Sequence, residues 1–298
     1  MKIFLFFAFA FSALCLDAQQ HTFMVYSVKG NVTVNQNKTD TKAHIGNLLE
    51  MAATINVPKG SVITLICDQV GLFTINKPGK YNISTFKDSC KQSSNSITAN
   101  YLRYVWAQMS HGSATPSTSR KLFMNTVGAV SRSVNNIWID PRLDTIIYAS
   151  GSFPLSWKSY AEAKDFEFSL FTKEKEGQPI FVAQTEALQL PLTSLQKTLN
   201  AGNIYYWTAA IKGEQNDERK VIKVINSKER DEYIASLRKS EDAFETEAEE
   251  AFRLGFQLEE SHYLADAYSY YQKAAELQPA VALYRSTLMA FRKDYDVQ

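Results

Sequence analysis

Between residues 22 and 86, apolar and polar positions alternate in short bursts broken by glycine and proline. Phe23, Val25 and Val28 run into Lys29-Gly30, and Val32 and Val34 follow. Further apolar runs at 53–57, 62–67, 72–75 and 80–86 are separated by Pro58-Lys59-Gly60, Gln69-Val70-Gly71 and Lys77-Pro78-Gly79. A period of two between turn residues marks half-buried strands, and it predicts a small all-β unit over residues 19–92. The pattern returns at 144–148, 153–157, 166–171, 180–184, 187–192, 204–211 and 219–225. Short alternating strands at this density predict a two-sheet β-sandwich over 125–227.

Two other stretches have the period of a helix. Tyr101, Val105 and Met109 share a face with Leu102 and Trp106 beside it, and His111-Gly112 ends the run before a Ser/Thr-rich segment reaching Arg120. Residues 93–124 are therefore read as a helix and linker bracing the β-units. Over 228–298, three apolar stripes follow one another. Tyr233, Leu237 and Phe244 lead into Ala248, Ala251, Gly255 and Leu258; Leu264, Ala267, Tyr271 and Ala274 form the second; Val281, Tyr284, Leu288, Phe291 and Tyr295 form the third. Gly255 and Ala267 lack bulk where two antiparallel helices would cross closely, and Pro279 is expected to start the last helix. The fold class predicted is a multidomain α+β chain.

Composition changes the picture at the N-terminus. Lys2 precedes the apolar run Ile3 to Leu16, and the small Ala18 is followed by Gln19-Gln20. This is the pattern of a secretory signal peptide over 1–18, with cleavage expected between Ala18 and Gln19. The run is too short for a permanent span, and no later segment is apolar over the ~20 residues a membrane helix needs. The formal net charge of +1 hides an uneven distribution, with fifteen acidic and nine basic side chains in 228–298. Lysine and arginine are not clustered among aromatics as nucleic-acid binding would want. The acidic stretch Glu241 to Glu250 is read as a solvated helix face.

Removal of the signal peptide leaves Cys67 and Cys90. In an oxidising compartment they form a disulfide candidate, expected to pin the polar connector after residue 86 to the edge of the first β-unit. Histidines 21, 44, 111 and 262 lie in separate segments, none at metal-ligand spacing from another histidine or a cysteine. Ser110-His111 and Ser261-His262 are neighbours in sequence rather than triad partners, and neither a Gly-x-Ser-x-Gly elbow nor a phosphate-cradling glycine loop is found. A non-enzymatic chain without cofactor or metal is expected.

Leu254-Gly255, Leu258, Ala267, Tyr271, Ala274 and Pro279 resemble the spacing of a single tetratricopeptide hairpin. Gly30-Asn31-Val32-Thr33-Val34, Gly46 and the run Ile55 to Leu65 resemble the FecR-like β-domain. Phe153-Pro154-Leu155-Ser156-Trp157 and Leu199-Asn200-Ala201-Gly202 before Tyr205-Tyr206-Trp207 resemble the tryptophan and tyrosine strands of a fibronectin type III domain. The combination resembles exported proteins of the Bacteroidota. It implies a periplasmic or envelope-associated scaffold whose helical end docks envelope proteins. One hairpin cannot bury its own apolar face, so a partner, a second copy or the fibronectin-like domain should cover it. The competing expectation is a carbohydrate or cell-wall module, for which Trp138, Trp157 and Trp207 would have to be exposed and coplanar.

Overall fold

A computed structural model of the chain describes residues 21–90, 97–110, 120, 136–239 and 244–297. The stretch 1–20, which includes the expected signal peptide and Ala18–Gln19 cleavage site, lies outside the described residues, as do His111, most of the Ser/Thr-rich linker and Glu241. The fold is mixed α+β, and it divides into two units, Met1–Gln92 and Ser93–Gln298.

The first unit holds β1 (Phe23–Lys29), β2 (Thr33–Gln36), β3 (Thr39–Lys42), β4 (Leu48–Leu49), β5 (Thr54–Val57), β6 (Val62–Cys67), β7 (Gly71–Ile75) and β8 (Gly79–Asn82). They pair antiparallel into two four-stranded sheets, ordered β4-β1-β6-β7 and β3-β2-β5-β8. Both sheets contribute to one core, with Phe23, Val25, Ile63 and Leu65 from the first and Val34, Ile55 and Val57 from the second. The turn at Gly30 requires glycine: φ is 85° and a Cβ would lie 2.3 Å from Ser61 Oγ.

Three local expectations change here. Residues 83–86, read as the end of a strand, belong to the 3-10 stretch Ile83–Ser89, because the Asn82 side chain accepts from Ser84 N at 3.1 Å and turns the chain. Strands β3 and β4 carry no alternation to read, since all four residues of β3 are exposed. Cys67 and Cys90 are joined in a disulfide with Cα atoms 5.2 Å apart. Cys67 ends β6, which lies between β1 and β7, so the bridge ties the connector to an interior strand rather than a sheet edge. Closing a loop of separation 23 stabilises by about 3 kcal/mol in the chain-entropy model. Reduction, or Cys90→Ser, is expected to lower the first unit's unfolding free energy by that order. Denaturant titrations with and without reductant measure it, with thiol counting to confirm that the bridge has opened.

The second unit contains α1 (Ala99–Ser110), then β9 (Ile137–Trp138), β10 (Thr145–Tyr148), β11 (Pro154–Ser156), β12 (Lys158–Ser159), β13 (Phe166–Phe171), β14 (Phe181–Thr185), β15 (Gln189–Pro191), β16 (Ile204–Ile211) and β17 (Lys220–Val224). Each of the apolar runs read between 144 and 225 overlaps one of these strands. The main sheet is ordered β10-β17-β16-β13-β14, with β10 parallel to β17, and β11-β15 and β12-β9 form two-stranded sheets. Trp157 packs edge-on to Phe166 at 6.3 Å, and Phe168 stacks on Trp207 at 5.7 Å. Tyr205 at the start of β16 donates its hydroxyl to Thr198 O at 3.2 Å and accepts from Asn200 N at 3.0 Å, which closes the preceding turn.

Four further helices are found among the described residues: α2 (Ser227–Arg238), α3 (Glu247–Glu260), α4 (Leu264–Leu277) and α5 (Ala282–Tyr295). Asn226 caps α2, and Thr246 with Glu249 forms a capping box on α3. The stripe read as running from Tyr233 through Phe244 into Ala248 is therefore split between two helices. Pro279 is an exposed turn residue, and α5 starts at Ala282 rather than at the proline. The amide of Val281 donates to Gln278 O at 3.1 Å, so the turn closes before the helix opens.

Candidate functional site

Helix α3 is buried almost throughout, with Phe252, Leu254, Phe256 and Leu258 in contact with other parts of the unit. On one side stands α1, whose Tyr104 ring stacks on Phe256 at 5.0 Å while its hydroxyl meets Thr287 Oγ1 of α5 at 2.8 Å. On another side α4 approaches closely at Gly255, where a Cβ would lie 2.8 Å from Tyr271 Cδ1. Of the hairpin residues singled out from the sequence, Leu254, Gly255, Leu258, Ala267, Tyr271 and Ala274 are buried. The β-region of the same unit covers another part of the helical region: the Phe153 ring lies 6.3 Å from that of Phe291 and 5.7 Å from that of Tyr295. The chain itself thus supplies much of the cover that a lone hairpin needs.

Within this packing sits a charged cluster that the sequence reading did not find. Arg120 is fully buried, and its two terminal nitrogens pair with Glu259 of α3 and Asp294 of α5. Tyr271 and Tyr295 donate their hydroxyls to the same Glu259 carboxylate at 2.9 and 3.0 Å. The guanidinium lies 5.4 Å from the centre of the Phe291 ring. A second arginine, Arg142, meets the same Oδ2 of Asp294 at 3.3 Å and is forked against Asp140 at 2.9 and 2.5 Å.

The electrostatics hold the arginine charged and the two tyrosines neutral. Burial opposes the charged form of Arg120, but Glu259, the tyrosines and Asp294 outweigh it and hold the guanidinium above its usual range. Burial, reinforced by the Glu259 charge, pushes Tyr271 and Tyr295 well above the ordinary phenol range, so both remain donors. The cluster therefore grips a guanidinium between two carboxylates and an aromatic wall. No sequence signal marked it, because an arginine in a polar linker shows no periodicity.

A second buried arginine, Arg253, is fixed by Glu245 at 2.9 Å, by Leu237 O at 2.8 Å and by Gln257 at 2.9 Å. Glu245 and Glu249 are thus taken up by an ion pair and a helix cap, which corrects the reading of 241–250 as a solvated face. Among its described members, Glu247 is exposed and the Glu250 side chain is 40% exposed.

The histidines stay apart. His44 is exposed, and His262 is partly buried, its imidazole pKa lowered by desolvation. His21 pairs with Asp68 at 2.5 Å beside the Cys67–Cys90 bridge, a proximity that the sequence spacing concealed. With both sulfurs bonded to each other, that group offers a metal only one imidazole and one carboxylate. Trp157 and Trp207 are 2% and 0% exposed, and Lys158 lies over the Trp138 ring at 5.2 Å. Among the described residues, no helix is long and apolar enough to cross a membrane. Comparison with known proteins finds no family model that matches this chain and no curated protein similar to it.

Proposed function

We propose that this is an exported, periplasmic or envelope-associated interaction protein without catalytic activity, whose helical end docks envelope protein partners. The observation that carries the reading is the guanidinium grip on α3 and α5, a peptide-holding arrangement filled by a residue of the same chain 139 positions before Glu259. A helical surface built to hold a side chain from a distant segment is organised for protein contacts rather than for turnover. The close approach at Gly255 and the two 14-residue helices around it support the tetratricopeptide resemblance. The Tyr205 hydroxyl bonds support the fibronectin-like one, because a tyrosine bonded back to upstream backbone recurs in such sandwiches. Two antiparallel sheets around one core fit the FecR-like reading of the first unit.

The inner face of the hairpin is filled from within, so docking in this reading falls to the outer face, where Leu277 and Met289 are 43% and 70% exposed. A photo-crosslinker at position 289 of the full chain, activated in the native envelope, is expected to yield defined adducts with envelope proteins. One at Tyr160, an exposed aromatic of the sandwich region, should yield few. The opposite pattern would move binding to the β-region. Burial of Trp157 and Trp207 counts against the carbohydrate-module alternative, which needs open aromatic faces.

A further inference from the structure

A cavity of about 600 Å³ lies in the second unit where β12 and β15 meet the end of α5. Its size falls within the usual range of small-molecule sites. Three cations line it, Lys158 from β12 and Arg292 and Lys293 from α5, against the single carboxylate of Asp296. Among the described residues, none of these cations has a carboxylate at ion-pairing distance. Arg292 donates instead to the Tyr268 hydroxyl at 3.2 and 3.0 Å. The lining also holds Trp157 and Gln189, whose indole Nε1 and amide Oε1 are buried without a hydrogen-bond partner. Leu188, half exposed, adds apolar surface at the same place.

Basic residues in the last turn of a helix often serve only to offset the helix dipole, and that accounts for Arg292 and Lys293. It does not account for Lys158, which arrives from a strand and joins the lining while its ammonium also lies 5.2 Å from the centre of the Trp138 ring. We infer that this cavity is a binding site for a small organic anion carrying an apolar body, such as an aryl or alkyl carboxylate or sulfonate. The cations would hold the acidic group, and Leu188 and the indole edge would cover the apolar part. A sugar ring fits less well, because the Trp157 face is closed.

The test uses the full chain and two fluorescent probes, anilinonaphthalene sulfonate and its uncharged counterpart N-phenylnaphthylamine. The sulfonate is expected to saturate a single site, and Lys158→Gln with Lys293→Gln to weaken it about tenfold, with the neutral probe unaffected. Both lysines are exposed, and an unchanged circular dichroism melt checks that the fold is intact. Raising the salt concentration should weaken sulfonate binding in the native chain and do much less in the double variant. Equal affinity of the native and double-variant chains for the sulfonate would overturn the inference, as would saturable binding of the neutral probe at the same strength. Failure of the sulfonate to bind the native chain overturns it as well.

Discussion

Arg120→Ala is expected to lower the unfolding free energy of the Ser93–Gln298 unit by about 3–5 kcal/mol, the cost of stranding a buried charge. The side chains of Arg120 and Glu259 are both 0% exposed and that of Asp294 is 2%, so water cannot replace the lost guanidinium. Arg142 still compensates Asp294, but among the described residues no other cation pairs with Glu259. Arg120→Lys should fall in between, since an ammonium keeps the charge and loses the fork that spans two carboxylates. Urea titrations of the variants, compared at constant m-value, provide the measurement. A loss below about 1 kcal/mol would show that the carboxylates relax to solvent and that the cluster is not a grip.

Tyr271→Asp should be more damaging still. Tyr271 is fully buried against Gly255, its ring lies 5.9 Å from Phe252 and 5.5 Å from Phe291, and its hydroxyl donates to Glu259. Aspartate removes the ring that fills this space and sets a second carboxylate beside Glu259. The cavity alone costs about 3–5 kcal/mol in a core of this kind, and the like charge adds to it. A domain's whole stability is about 5–15 kcal/mol, so the expected product is an unfolded or insoluble second unit. Tyr271→Phe separates the two contributions, because it keeps the ring and loses only a hydrogen bond to a charged acceptor, worth about 1.5–3 kcal/mol. Soluble yield and the near-ultraviolet dichroism of the two variants distinguish them. Comparable losses would place the burden on the hydroxyl rather than on packing and charge.

What could be read in advance divides along physical lines. Strands such as Phe166–Phe171 and helices such as Leu264–Leu277 were legible because one face is apolar and local periodicity reports it. The pairing of Cys67 with Cys90 could be posed by elimination and the strand 62–67 that carries Cys67 was legible, although its place inside the sheet was not. The exposed β3 had no signal, since every residue in it is polar. Pro279 misled because proline suits both a helix start and the turn before one. Arg120 and Glu245 were illegible for a deeper reason: their burial depends on partners 139 and 8 positions away respectively, and a charged residue in a polar stretch has the same local pattern whether solvated or enclosed. The cavity between strands and α5 was hidden likewise, because Lys158 and Lys293 are 135 positions apart.

The span between Arg120 and its two carboxylates sets an order of events. Glu259 and Asp294 follow it by 139 and 174 residues, so a chain emerging N-terminus first carries an unneutralised guanidinium until nearly its last helix is available. The entropy of closing so long a segment must be met before the ion pairs return anything, which places this step late in folding. Until then, Tyr104 of α1 lacks its hydroxyl partner Thr287 of α5, and Phe153 lacks the Phe291 and Tyr295 rings against which it comes to rest. The second unit therefore matures as a whole, after release of its C-terminal residues, and intermediates truncated before Asp294 remain open to chaperones and proteases.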